Sequence, residues 1–328
     1  MESYLEISLL KRLNTKQMIN ICFMGNPKFA VQTLDVLYNN ENIDVKLVVS
    51  SPDKKRNRGK VSPTEIKKYA QDHGIEVVTP KTVNTPDFVE SLKDLDIDFI
   101  VVVAFGQLIG KGLLEAFEDR IINLHPSILP ELRGASPMQF SLLNGDERTA
   151  ATTMLIEKGM DSGDILIQEL VDIDDKDTYT SLEEKLSEIG SKKVLETILN
   201  FEEIYKNRRK QDSSKATFCT KITKEMGKID WKAPAEETLN KIRAFVEYPV
   251  AFFTYKGNNI KVYEAEIVEG LDTNPGYVYK ANSKEGLIIG AGDKAIRINR
   301  LQFPAKKAMD AKAFLLGHAF EENINLDS

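Results

Sequence analysis

Five short apolar, β-branched runs, at residues 19–24, 45–50, 75–78, 99–104 and 121–124, alternate with stretches that carry helix-start signals. No other feature of the 328-residue chain limits its fold as strongly. Each signal is a capping residue beside a helix-compatible proline: Asn26-Pro27, Ser62-Pro63 with Glu65, Thr85-Pro86 and Ser136-Pro137. Strands that take turns with helices predict an α/β fold with a doubly wound, mostly parallel sheet. Ligands of such sheets sit beyond the carboxyl ends of the strands, where the loop after Ala104 and the end of the 121–124 run fall. Gly25 lacks the two further glycines of a dinucleotide fingerprint, which disfavours nicotinamide chemistry.

In Ile122-Asn123-Leu124-His125-Pro126-Ser127, strand periodicity puts Asn123 and His125 on one face, flanked by apolar Ile122 and Leu124. An amide donor and an imidazole aimed at one spot suit chemistry on a carbonyl: the amide holds a developing oxyanion while the imidazole moves a proton. Two hydrogen-bonded polar groups at a strand end would give the same pattern. A long loop follows, through Arg133-Gly134-Ala135, and another β-branched run at 149–156 leads to Gly159-Met160-Asp161-Ser162-Gly163-Asp164. Those glycines let backbone approach a ligand, and the acid can orient His125; a plain turn is the alternative.

Thr180 with Glu183 forms a capping box for a helix to about residue 200. Composition then changes: residues 206–228 carry eight bases and two acids and read as a basic linker. After a short helix at 235–246, five runs at 251–255, 260–264, 276–279, 286–289 and 295–300, joined by Gly/Asn turns, predict a small β-barrel. The domains expected are a tail at 1–17, a catalytic domain at 18–205, the linker at 206–228 and a barrel domain at 229–328. No stretch approaches the ~20 apolar residues of a membrane span. Cys22 and Cys219 are too few and too far apart for a disulfide framework or a zinc cluster, so a reducing cytoplasm is expected, and no metal. Net charge is −6, yet residues 52–60 hold five bases and one acid, and residues 294–312 six bases and one acid. Clustered bases attract phosphates locally even on an acidic protein, although most such runs are solvated faces.

The order Asn-x-His-Pro-Ser-Ile-Leu-Pro, Arg-Gly-Ala, then Gly-Met-Asp-Ser-Gly-Asp resembles the folate-dependent formyltransferases. The resemblance runs from about Met18 to about Phe320 and takes in Phe23-Met24-Gly25-Asn26-Pro27, Arg58-Gly59-Lys60, Ile229-Asp230-Trp231, Arg243-Ala244-Phe245 and Pro304-Ala305-Lys306-Lys307. Because it begins at Met18, residues 1–17 are expected to be a tail, either disordered or upstream of a start at Met18. The resemblance implies a Rossmann-like catalytic domain followed by an open, oligonucleotide-binding type of barrel. It also implies the branch of the family that moves a formyl group from 10-formyltetrahydrofolate to the methionine amine of initiator Met-tRNA. By that likeness Asn123, His125 and Asp161 are catalytic, and Ser127, Ile128, Leu129 and Pro130 contact folate. Phe105, Gly106, Leu108 and Ile109 would line the pterin slot, with an ordinary core role the alternative for the apolar ones. Lys54, Lys55, Arg56, Arg58, Lys60, Arg209, Lys210, Lys306 and Lys307 would meet tRNA; no obligate protein partner is implied. The family's loop at 53–60 is slightly longer, and residues 243–249 lack its usual asparagine, proline and tryptophan. Two rivals remain: formylation of a small amine, such as glycinamide ribonucleotide or an amino sugar, and a non-catalytic RNA-binding relative. The ~100 extra C-terminal residues favour tRNA over a small amine, since one domain suffices for a small substrate.

Overall fold

The strands of the first half pair into one sheet of seven. In the computed structural model, which describes residues 18–55, 61–271 and 273–326, these are β1 (Ile19–Gly25), β2 (Ile43–Val49), β3 (Val77–Val78), β4 (Phe99–Val103), β5 (Ile121–His125), β6 (Arg148–Leu155) and β7 (Ile165–Asp172). Their order is β7-β6-β5-β4-β1-β2-β3. β1 pairs in parallel with β2 and β4, β2 with β3, and β4 with β5, whereas β6 joins β5 antiparallel. Every residue of β1 and β4 is buried, as central strands covered on both faces must be. β7 escapes sequence reading because it is an edge strand, with Gln168, Glu169 and Leu170 partly or fully exposed inside an otherwise apolar run.

Among the described residues, seven helices accompany these strands: α1 (Lys28–Tyr38), α2 (Glu65–Asp72), α3 (Pro86–Asp94), α4 (Lys111–Ala116), α5 (Pro137–Asn144), α6 (Tyr179–Leu199) and α7 (Phe201–Lys206). Thr85 caps α3 with Pro86 in its first turn, as its sequence predicts. Two caps differ. Asn26 makes no cap, because its amide is drawn into bonds between strand ends, and Thr64 rather than Ser62 accepts from Lys67 N at the start of α2. The box at α6 is Thr178 with Ser181, not Thr180 with Glu183: Thr178 N donates to Ser181 Oγ and Ser181 N to Thr178 Oγ1. Within α6, Gly190 leaves room for Leu124, since a Cβ there would lie 2.7 Å from Leu124 Cδ2. The helix therefore covers the Leu124 face of β5, opposite the face of Asn123 and His125.

Farther on, α8 (Ala235–Ala244) precedes β8 (Ala251–Tyr255), β9 (Asn258–Val268), β10 (Val278–Asn282), β11 (Gly286–Gly290), β12 (Ala295–Gln302) and β13 (Met309–Asp310), with α9 (Ala311–Gly317) last. These strands form an antiparallel sheet in the order β8-β9-β12-β11-β10, with β13 on β12. β9 outruns its predicted five residues because register shifts around Glu264 let pairing continue past the point where alternation breaks. Trp231, 1% exposed, packs edge-on to Phe253 in this core.

By internal contacts the chain divides into two units that differ from the predicted segments. One takes the chain through Gly134, Ala150–Val171 and Glu183–Phe218; the other takes Ala135–Thr149, Asp172–Leu182 and Cys219–Ser328. α5 goes with the second unit because it packs on α8. The stretch from Arg208 to Phe218, expected to be linker, is hydrogen-bonded into the first: Arg209 pairs with Ile165, and Thr217 accepts from Arg133 N. The expected tail at 1–17 lies outside the described residues. No helix among the described residues is long and apolar enough to cross a membrane.

Candidate active site

β5 carries Asn123 and His125 to the carboxyl end of the sheet. Asn123 stands in register with Val102 of β4 and Met154 of β6, half-buried, and among the described residues its side-chain amide has no hydrogen-bond partner. His125 is buried, opposite Thr152. Its Nε2 donates to the Leu132 carbonyl at 2.9 Å. A carbonyl only accepts, so Nε2 carries a proton and Nδ1 is the nitrogen left to exchange one. Nδ1 faces Asp161 Oδ2 at 3.8 Å, too long for a direct hydrogen bond.

Asp161 reaches this point through a loop that only glycine permits: a Cβ on Gly163 would lie 2.0 Å from the Leu155 carbonyl oxygen. Its backbone is left-handed, with φ of +46°, and its Oδ2 accepts from Gly134 N at 2.8 Å. The structure thus brings His125 and Asp161 together at the end of β5, with Asn123 two positions earlier on the same strand.

The expected folate residues separate by role. Ser127 is fully buried and spends its hydroxyl on the Glu131 carbonyl, while Leu129 packs against Met154 and Ile165. Ile128 and Pro130 are the half-buried members of that run. Phe105 belongs to the core under the sheet, with Ile109 packed against that core, whereas Leu108 is 83% exposed. What residues 104–106 present is backbone: Ala104 and Gly106 are exposed, with φ of +48° and +78°. Asn26 shapes this surface, donating from Nδ2 to the Phe105 carbonyl and accepting at Oδ1 from Ser50 Oγ (3.0 Å) and Ser51 N (2.8 Å). Sequence reading assigns Asn26 to a helix cap; its position just past a buried parallel strand is the signal that marks it as a site residue. Gln211, expected only as part of the linker, donates from Nε2 to the Asp161 carbonyl at 2.9 Å.

Of the expected tRNA residues, Arg56, Arg58 and Lys60 lie outside the described residues. Lys54 and Lys55 form a two-residue strand against Val61–Ser62. Arg209 donates to Gln168 Oε1 at 3.1 Å, while Lys210, Lys306 and Lys307 are exposed. Part of the 294–312 cluster is neutralised locally, because Lys294 pairs with Glu269 and Arg297 with Glu266.

Two family models match the chain, Formyl transferase over residues 17–199 and Formyl transferase, C-terminal domain, over residues 221–319. The methionyl-tRNA formyltransferase of Finegoldia magna is 40% identical over 307 residues, covering 93% of this chain and 99% of its own. That of Halothermothrix orenii is 38% identical, covering 94% and 100%. Among solved structures, an N-formyltransferase from Helicobacter canadensis superposes with a TM-score of 0.61 at 22% identity, covering 86% of this chain and 99% of that one, and shows the same fold. The chain therefore belongs to the formyltransferase family, in its methionyl-tRNA formyltransferase branch.

Proposed function

We propose that this protein transfers the formyl group of 10-formyltetrahydrofolate to the free α-amine of methionine on initiator Met-tRNA, in the cytoplasm, and that Asn123, His125 and Asp161 carry the reaction. One observation supports the chemistry above the rest: at one strand end an amide unpartnered among the described residues stands two positions from an imidazole with one nitrogen uncommitted, and that nitrogen faces a carboxylate. The near full-length likeness to methionyl-tRNA formyltransferases supplies the substrate.

The folate donor fits the neighbouring loop, where exposed backbone at Ala104 and Gly106 offers donors and acceptors to a flat heterocycle and Ile128 and Pro130 offer apolar edges. When bound, it supplies the formyl carbon. The chain's own residues must then stabilise charge developing on the formyl oxygen and move one proton, since the amine loses one and the leaving nitrogen gains one. Asn123 donates its amide to that oxygen. His125 handles the proton through Nδ1, because Leu132 occupies Nε2. Asp161, whose Oδ2 faces Nδ1, orients the ring.

A parallel assay tests this reading: 10-formyltetrahydrofolate is supplied with Met-tRNA, free methionine or glycinamide ribonucleotide. Formylation of Met-tRNA alone is expected. Preferential formylation of the ribonucleotide would establish the small-amine rival, and no formylation of any of them would establish the non-catalytic one.

A further inference from the structure

Leu132 and Gly134 hold the side chains of His125 and Asp161, and a second segment holds this turn in its turn. The Leu132 carbonyl accepts from His125 Nε2, and Gly134 N donates to Asp161 Oδ2. Leu132 and Asp161 both sit at positive φ, +54° and +46°, a backbone conformation that persists for residues with side chains only where the surroundings over-determine it. Those surroundings are Gln211 and Thr217. Gln211 is buried; its Nε2 donates to the carbonyls of Asp161 (2.9 Å) and Gly163 (2.7 Å), and its Oε1 accepts from Arg133 Nε (3.0 Å) and Nη2 (2.7 Å). Thr217 accepts from Leu132 N at Oγ1 and from Arg133 N at its carbonyl, both at 2.9 Å. A closed circuit results, from the Asp161 carboxylate through Gly134, Arg133 and Gln211 back to the Asp161 carbonyl.

We propose that Gln211, supported by Thr217, is a positioning residue for formyl transfer: it locks the left-handed turn at Asp161 and so sets the separation between His125 Nδ1 and Asp161 Oδ2. The inference rests on the roles proposed above for His125 and Asp161. A residue needed only to neutralise buried Arg133 would be better as glutamate, because charge strengthens such hydrogen bonds. Glutamine alone serves both sides, since its oxygen takes the guanidinium and its two N–H groups take the two carbonyls.

Steady-state kinetics on the full chain, with Met-tRNA and 10-formyltetrahydrofolate, test this with Gln211→Glu, Thr217→Val, Thr217→Ser, Asp161→Asn and the double variant Gln211→Glu/Asp161→Asn. Gln211→Glu keeps the Arg133 pairing and loses both donors. Its kcat should fall about tenfold or more while both KM values stay within about twofold, and the double variant should be no slower than Asp161→Asn alone. Thr217→Val should lower kcat in the same way and Thr217→Ser should restore it. Wild-type kcat in Gln211→Glu, or losses that add in the double variant, would overturn the proposal. Thr217 is exposed, so its variants should fold even if thermal melting shows a Gln211 variant does not; unchanged kcat in Thr217→Val would then overturn it alone. Wild-type turnover by Asp161→Asn would instead overturn the reading of the site, which separates the two failures.

Discussion

Asn123 and His125 illustrate how far one residue's surroundings decide its use. Both are polar, adjacent on one strand face, and within reach of the same spot, yet His125 already gives one nitrogen to Leu132 while the Asn123 amide is uncommitted among the described residues. An amide held at a strand end without a partner is ready to meet charge that develops only during reaction, which is the condition for lowering a barrier. Asn123→Ala should therefore reduce kcat about 10²- to 10³-fold, a loss of about 2.7–4 kcal/mol, with tRNA affinity nearly unchanged. Single-turnover rates alongside equilibrium tRNA binding measure both, and a loss confined to binding would assign Asn123 to substrate recognition instead. The pairing of Asn123 with His125 is legible in the sequence because a strand's two-residue period acts over a few positions. The choice of ring nitrogen is not, because it depends on a carbonyl brought in by the following loop.

Among the elements, the α/β alternation stands as read, and the misread caps at α1 and α2 share one cause. Asn26 and Ser62 carry cap-forming side chains beside prolines, but local propensity gave way to partners supplied by other strands or to a neighbouring threonine. Thr64 shows how closely a cap and the site can be joined: buried, it accepts from Lys67 N and is hydrogen-bonded to Ser50, which in turn donates to Asn26. Thr64→Ala should lower stability by about 1–2 kcal/mol through loss of the cap. Denaturant unfolding measures it, with the midpoint falling at constant slope. The same variant should raise the KM for 10-formyltetrahydrofolate, since Ser50 would keep only Asn26; an unchanged KM would mean that Asn26 holds the Phe105 loop unaided.

Across the whole molecule, electrostatics runs against the net charge of −6. Lys306 and Lys307 stay exposed after folding, whereas Lys294 and Arg297 are paired with acids, so the charge offered to a polyanion is smaller than the sequence count implies. Replacing Lys306 and Lys307 together by alanine should weaken tRNA binding and lower the slope of log affinity against log salt by about 2, measured by titration at several salt concentrations. An unchanged slope would place both lysines away from phosphate. The sequence by itself determined the alternation of strands and helices from β1 through β5, the strand-rich character of the second half and the shared face of Asn123 and His125, because these follow from periodicity and turn chemistry acting between near neighbours. Only the tertiary structure decided that Gln211, 50 positions beyond Asp161, would grip its backbone, and that a segment read as linker would brace the site. Such contacts between distant parts of the chain leave no periodic trace, since they arise where loops close and buried polar groups must find partners.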